Sequence, residues 1–279
     1  MSNIDVKRTA KLFIGGAFPR SESGRTYEAK DKNKNFVANV ALASRKDGRD
    51  AVVAARSAFA KWSEATAYNR AQVLYRVSEI MQGRREQFVE ELCLWSKTKK
   101  QAENEVDEAI NRMVWFAGWA DKIAMVTGSN NPVAGPFFDF SIPEPTGVVA
   151  AVAPEDSALL GLVETIASIV VSGNSVIVIA SESQPLPAVS LAEVLATSDV
   201  PGGVVNILTG KASELLPWVG SHMEIDGVDV AGLNKKQEDE IKLVGADNLK
   251  RISRFAPGNH PERILSFMEH KTIWHPIGI

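Results

Sequence analysis

What most limits the folds open to this chain is a rhythm in its second half, where short β-branched runs recur at near-constant intervals. VVAAVA at 148–153, VIVI at 176–179, VVNIL at 204–208 and a weaker VDV at 228–230 start 28, 28 and 24 residues apart. That interval accommodates a strand, a crossover helix and the return, so it predicts repeated βα units. The first two runs are apolar throughout rather than alternating, as expected of parallel strands covered by helices on both faces. The expectation is an α/β fold with a doubly wound parallel sheet, whose ligand cleft lies at the carboxyl ends of the strands.

The first half reads differently. Phe13-Ile14-Gly15-Gly16 followed by Ser23-Gly24 suggests a short strand and turn. Val52, Ala55, Phe59 and Trp62 then recur at helical spacing, and so do Val73, Val77, Ile80 and Met81 in a helix from about Arg70. That helix continues or restarts through Phe88, Leu92 and Trp95. Val106, Ile110, Met113, Ala117 and Ala120 mark a third helix, with acids early and Lys122 late as the helix dipole favours. From Thr127 to Pro145 the proline- and glycine-rich TGSNNPVAGPFFDFSIPEP cannot be a long helix and predicts a linker or edge ribbon.

Composition narrows the function. Net charge is -3 over 279 residues, which offers no basic field for nucleic acid or an anionic membrane. The most apolar stretch, Ala158 to Val171, is cut by Glu164 and is shorter than a membrane span. The opening MSNIDVKRTAKLFIGG has no apolar core followed by a cleavage site, so no secretory signal is expected. One cysteine, Cys93, excludes an internal disulfide and a multi-cysteine zinc site, and the cytoplasm is the expected location.

The segments AVVAARSAFAKWSEATAYNRAQVL, AINRMVWFAGWADKI, EPTGVVAAVAP, SGNSVIVIASESQP and VPGGVVNILTG resemble the aldehyde dehydrogenase superfamily in order and spacing, up to about Lys250. The resemblance implies a Rossmann-like NAD(P) domain with N-terminal helices, a catalytic domain carrying a cysteine thiolate, and a small β oligomerisation ribbon. It also divides the chain: an N-terminal strand and helical part at 1–126, the first part of the ribbon at 127–145, a βα nucleotide-binding core at 146–257 and a C-terminal oligomerisation tail at 258–279.

Against that family pattern the chemistry is missing, and the resemblance leaves no catalytic residue to assign. Cys93 sits in VEELCLWSK, away from the family's cysteine motif, and reads as a small apolar residue on a packed helix. Where the family continues with Glu-Leu-Gly-Gly after LKRIS, this chain has Arg254-Phe255-Ala256-Pro257-Gly258, which puts Phe255 in place of the general base. The family's Pro-Trp-Asn becomes Pro154-Glu155-Asp156, replacing an amide donor to an oxyanion by a carboxylate. Taken without the family, Glu155 and Asp156 read either as a catalytic acid pair or as a cap, with Asp156 capping the next helix and Glu155 facing its positive end.

The cofactor site is degenerate as well. The family's Lys-Pro-Ser-Glu appears as Ile179-Ala180-Ser181-Glu182, which keeps Glu182 for a ribose hydroxyl and loses the lysine. Ala212 and Leu216 stand where the family prefers glycines beside the adenosine half. The family's Thr-Gly-Ser-Thr becomes Ala231-Gly232-Leu233-Asn234, so Gly232 alone matches. Glu182 and Gly232 are the vestigial cofactor contacts, and no bound NAD(P) is expected of the chain on its own.

After Pro257 the chain passes almost directly to SFMEHKTIWHPIGI, which is similar to the family's oligomerisation strand, so the catalytic lobe is expected to be absent. Phe137, Phe138 and Phe140 of the first ribbon segment and Phe267, Ile273 and Trp274 of the tail are the candidate oligomerisation residues, since an uncovered apolar strand invites pairing. His260, His270 and His275 match no metal-ligand spacing. Three functions remain: a catalytically inactive structural or regulatory subunit that pairs with itself or a full-length aldehyde dehydrogenase, a dehydrogenase acting only in a composite site with a partner, or a small-molecule binding module with a cleft lined by Leu233, Glu182 and Glu155.

Overall fold

The computed structural model describes residues 9–95 and 97–278. Residues 1–8, on which the secretory-signal reading partly falls, lie outside the described residues. The chain opens with a small sheet that the sequence reading does not anticipate, formed by β1 (Thr9–Ala10), β2 (Thr26–Lys30) and β3 (Phe36–Ala41) in the order β1-β3-β2. Phe13 and Ile14 form isolated bridges, and Phe13 exchanges two backbone bonds with Ile207.

Four helices follow: α1 (Arg45–Glu64), α2 (Ala67–Gly83), α3 (Arg85–Cys93) and α4 (Lys99–Ala117). Ser44 and Asp47 form a capping box at α1, and Thr98 and Gln101 form one at α4. Thus α4 starts earlier than the apolar stripe from Val106 implies, and its first turn carries no acid. A short α5 (Ile123–Thr127) leads into the ribbon, β4 (Ser129–Asn131) and β5 (Phe137–Pro145).

The βα units then appear where the periodicity puts them. They are β6 (Val148–Val152), α6 (Leu160–Val170), β7 (Ser175–Ile179), α7 (Leu186–Ala196), β8 (Val205–Leu208), α8 (Ala212–Ser221), β9 (Gly227–Asp229) and α9 (Lys235–Gly245). A fifth strand, β10 (Arg251–Ser253), comes from the LKRIS segment. All five are parallel, in the order β10-β9-β6-β7-β8. Strand order reverses between β6 and β9, which is the switch point where such folds place a ligand.

Both faces of this sheet are covered, which is why its strands lack alternation. Val149, Ala151, Val176 and Val178 pack into one core with α2, α3, α4, α6 and α7. Val148, Ala150, Val152, Ile177 and Ile179 pack into a second core with α1, α8 and α9. Each buried valine, leucine or isoleucine contributes roughly 1.5 to 3 kcal/mol of apolar transfer. Helix α6 is buried on nearly every side because it lies between the sheet and α4, and its one charge, Glu164, is 1% exposed.

The chain ends with α10 (Pro261–Leu265) and β11 (Met268–Pro276). The tail strand is not unpaired: β11 runs antiparallel to β5 over nine residue pairs, giving a second three-stranded sheet in the order β11-β5-β4. Among the described residues no helix is long and apolar enough to cross a membrane.

Candidate functional site: the strand-end cleft, the closing seam and the ribbon

At the carboxyl end of β6, Glu155 turns its carboxylate into the loop after β7. Ser181 Oγ donates to Glu155 Oε2 at 2.7 Å, Ser183 Oγ at 2.8 Å and Ser183 N–H at 3.3 Å, while Glu182 N–H donates to Oε1 at 2.8 Å. Partial burial would raise the Glu155 pKa, but these four bonds outweigh it and hold the carboxyl below its usual range. A carboxylate so held is a poor proton donor, which counts against Glu155 as the acid of a catalytic pair.

The capping alternative is also corrected. Helix α6 starts at Leu160 with Leu159 as its N-cap, so Asp156 lies outside the first turn and is exposed. Glu155 faces the β7 loop rather than that helix end. The amides of Leu159 and Leu160 donate instead to Glu105 Oε1 of α4, at 3.2 and 3.3 Å, and Ser157 Oγ accepts from Gly161 N–H at 3.0 Å. Lys97 meets the other oxygen of Glu105 at 2.7 Å. No local sequence signal marks this cap, because its donor set and its acceptor are 54 residues apart.

Gly232 is a packing residue. Its N–H donates to Val152 O at 3.1 Å, and an added Cβ would sit 2.3 Å from that same oxygen. Its amide is therefore not free for a phosphate. Leu233 is 5% exposed and belongs to the core with Ile241, so it does not line the cleft as the binding-module reading requires. Glu182 is exposed and has no ion pair or side-chain hydrogen bond among the described residues. Leu216, with Pro217, Gln237, Glu240, Ile241 and Val244, lines a mainly apolar groove of about 230 Å³ between α8 and α9. Cys93 ends α3, whose neighbours are α4 and α7, and it packs partly buried against the core.

Beyond Pro257 the chain closes on the sheet. Arg263, 2% exposed, donates to Asp229 Oδ2 at 2.7 Å and Thr165 Oγ1 at 2.8 Å, and lies 3.6 Å from Glu164. Glu164 Oε1 also accepts from Arg112 at 2.6 Å and from Gly258 N–H at 2.5 Å. Two cations thus meet two carboxylates, which lets four charges stay buried or nearly so. The Arg263 guanidinium stacks over Phe255 at 5.4 Å, and Phe255 meets Phe267 edge-on at 6.2 Å. Phe255, which the resemblance sets against the family's general base, is thus part of an aromatic and cationic seam.

Within the ribbon, side chains alternate between two faces. Phe138, Phe140 and Ile142 share one face with His275, Ile273 and Lys271 of β11. Phe137 and Trp274 share the other, with their rings 5.6 Å apart. Phe138 is 46% exposed and Trp274 58%, whereas Phe267 is fully buried under Gly227 and Phe255, so the seam rather than the ribbon surface holds it. A polar chain crosses the three strands: Asn131 donates to Asp139 at 2.6 Å and Ser141 at 2.9 Å, and Ser141 meets Thr272 at 2.8 Å. His270 and His275 are an odd number of residues apart on one strand and so lie on opposite faces.

Comparisons with known proteins agree with this architecture. The aldehyde dehydrogenase family profile matches residues 18–272, and the chain belongs to that family. It is 30% identical over 259 residues to aldehyde dehydrogenase, cytosolic 1, of Elephantulus edwardii, covering 91% of this chain and 51% of that protein. It is also 30% identical over 268 residues to cytosolic 10-formyltetrahydrofolate dehydrogenase of Pongo abelii, covering 91% of this chain and 29% of that protein. Among solved structures, the NAD+ complex of aldehyde dehydrogenase from Bacillus cereus superposes with a TM-score of 0.83 at 25% identity, over 91% of this chain and 53% of that one. The chain therefore spans about half the length of the aldehyde dehydrogenases it matches, and less of the formyltetrahydrofolate enzymes.

Proposed function

We propose that this chain is a non-catalytic member of the family, a structural or regulatory subunit that associates through its ribbon with a second copy or with a full-length aldehyde dehydrogenase in the cytoplasm. One observation carries the reading: the segment after Pro257 turns at once into the Arg263 seam and then into β11, with Phe255 where the general base would align. Aldehyde oxidation needs a thiolate nucleophile, a hydride acceptor and a base for thioester hydrolysis. Cys93 on a packing helix supplies no such nucleophile. The carboxylate of Glu155 and the engaged amide of Gly232 both disfavour a dinucleotide phosphate. The paired strands β5 and β11 keep exposed aromatic residues on both faces, which favours a partner.

The test is a titration of NAD+ and NADP+ into the purified chain with reduced-nicotinamide fluorescence and an aldehyde turnover assay. No binding at millimolar cofactor and no turnover are expected. Turnover that vanishes when one of the chain's own residues is substituted would overturn the reading. The groove between α8 and α9 favours a second reading, a composite active site completed by a partner. Cofactor binding without turnover, followed by turnover on adding the partner, would select it.

A further inference from the structure

Strand β11 is the outer strand of its sheet, and among the described residues no strand pairs with its far edge. It runs nine residues against β5 without a shift of register, and from Glu269 to Pro276 every residue but Ile273 is exposed. Its hydrogen-bonding phase follows from the bonds just past its two ends. Ile277 N–H donates to Pro136 O at 2.8 Å and Thr146 N–H to Phe267 O at 3.1 Å, so the odd-numbered residues bond to β5. The prolines agree, since Pro143 and Pro145, which have no N–H, stand opposite His270 and Met268. The backbone N–H and C=O of His270, Thr272 and Trp274 therefore point away from β5, towards the free edge. Such a row of unpaired groups is a template for another strand. Lys271 is of the kind that discourages edge pairing, but it lies 3.1 Å from Glu144 of β5 and brings the edge no unpaired charge.

We infer that the occupant of this edge is β11 of a second copy of the chain, antiparallel about a two-fold axis at Thr272, which rests on the association proposed above and narrows it to one strand and one register. An axis normal to the sheet puts the same face of both copies on one side, so residues facing each other have numbers of equal parity. Only the register centred on Thr272, the middle residue of β11, overlaps the whole strand. It sets Glu269 of each copy opposite His275 of the other, a carboxylate against a ring N–H, and His270 opposite Trp274. Centring on Lys271 would put that lysine against itself, and centring on Ile273 would put it against His275. Centring on His270 pairs Glu269 with Lys271, but it turns Ile273 to Pro276 towards the fully buried Phe267 and the end of α10. A second observation selects the same centre. The side-chain bonds that cross the ribbon from Asn131 through Ser141 end at Thr272, whose hydroxyl is exposed on the last strand. With the axis there, the two Thr272 side chains face each other and the polar chain continues from one copy into the other.

The experiment introduces Glu269→Cys and His275→Cys together into a Cys93→Ala chain, oxidises it with copper–phenanthroline and separates the products without reductant, with far-ultraviolet dichroism confirming the fold of every variant. Opposite residues that lie between ladder bonds have Cα atoms about 4.5 Å apart, within disulfide reach. The same two sites within one strand are about 20 Å apart and cannot bridge. A disulfide-linked dimer is expected, formed faster than from His270→Cys, Lys271→Cys or Ile273→Cys alone, each of which bridges directly to itself only if the axis lies at that residue. Should the cysteine pair fail to fold, a charge exchange read by size exclusion with light scattering decides instead. Glu269→Lys and His275→Glu should each raise the dimer dissociation constant about tenfold, and combining them should restore it. Faster bridging through one of the three single cysteines overturns the register. So do single charge reversals that their combination does not rescue. A folded chain that stays monomeric alone yet co-elutes with a full-length aldehyde dehydrogenase overturns the self-pairing and leaves the proposed function standing, whereas turnover by the chain bears only on that function, so the two fail separately.

Discussion

Replacing Arg263 by methionine probes the seam that closes the chain after Pro257. The guanidinium side chain is 3% exposed and faces Asp229 at 2.7 Å, whose own side chain is fully buried. Removing the cation leaves Asp229 with the Ala231 amide at 2.9 Å but no opposite charge within a salt-bridge distance among the described residues, and it leaves Glu164 with Arg112 alone. Breaking one partner of a buried pair costs about 3 to 5 kcal/mol, chiefly because the other charge stays behind. For 279 residues, an unfolding entropy of about 2.1 cal/mol/K per residue converts this into a fall in Tm of roughly 5 to 9 °C. The assay is urea denaturation followed by tryptophan fluorescence and far-ultraviolet dichroism, which should give coincident transitions in both proteins. Substituting Asp229→Asn in the same chain removes the stranded charge and should recover about 2 kcal/mol relative to the sum of the single effects. A loss below about 1 kcal/mol for Arg263→Met, or singles that simply add, would refute the coupled-charge account of the seam.

Other substitutions test other joints. Glu105→Ala should cost about 1 to 2 kcal/mol by uncapping α6, and Glu105→Gln clearly less, as measured by the denaturation midpoint; equal losses would contradict the capping role. Gly232→Ala would force a Cβ to within 2.3 Å of Val152 O and should destabilise by about 3 kcal/mol, the upper part of the overpacking range; a neutral result in the same assay would contradict the close approach. Burial pushes the Lys250 ammonium down to about 8 from 10.5, against a smaller upward pull from Asp226. Below pH 8 the lysine is charged in both folded and unfolded chains and its burial penalty is fully present. Between pH 8 and 10.5 the unfolded chain retains a proton that the folded chain has released, so stability should rise with pH relative to Lys250→Met. A wild-type minus variant difference that stays flat from pH 7 to about 10 would count against this.

The parts of the fold legible in the sequence are those where burial on two faces writes an unbroken apolar run. VVAAVA and VIVI announce β6 and β7 for that reason, and the almost wholly buried α6 follows from the same sandwiching. Strands β2 and β3 escape notice because TYEAK and FVANVA mix exposed and buried positions in a short sheet whose turn, Asp31 to Asn35, carries most of the charge. Strand β10 has three residues, each half-buried, and leaves almost no pattern. In the cleft, alignment with the family located Glu155, Glu182 and Gly232, but which way each points depends on tertiary neighbours. Asp156 has the residue type of a cap and sits too early, while Glu105 reaches the helix end from another helix. Aromatic content alone could not separate Phe267, which fills the seam, from Phe138 and Trp274, which face outward. Arg263 carried no local signal, since its value lies in Asp229 and Glu164, 34 and 99 residues away in sequence.

The account holds that chemistry has been lost while assembly has been kept, and the mass of the purified protein in solution tests that most directly. Light scattering coupled to size exclusion should give the chain alone a mass above the 30.2 kDa of one chain, or show it co-eluting with a full-length aldehyde dehydrogenase from the same cell when the two are mixed. That assembly should dissociate when Phe138 and Trp274 are both changed to serine. A chain that stays at 30.2 kDa by itself and elutes apart from the full-length enzyme in the mixture would contradict the account.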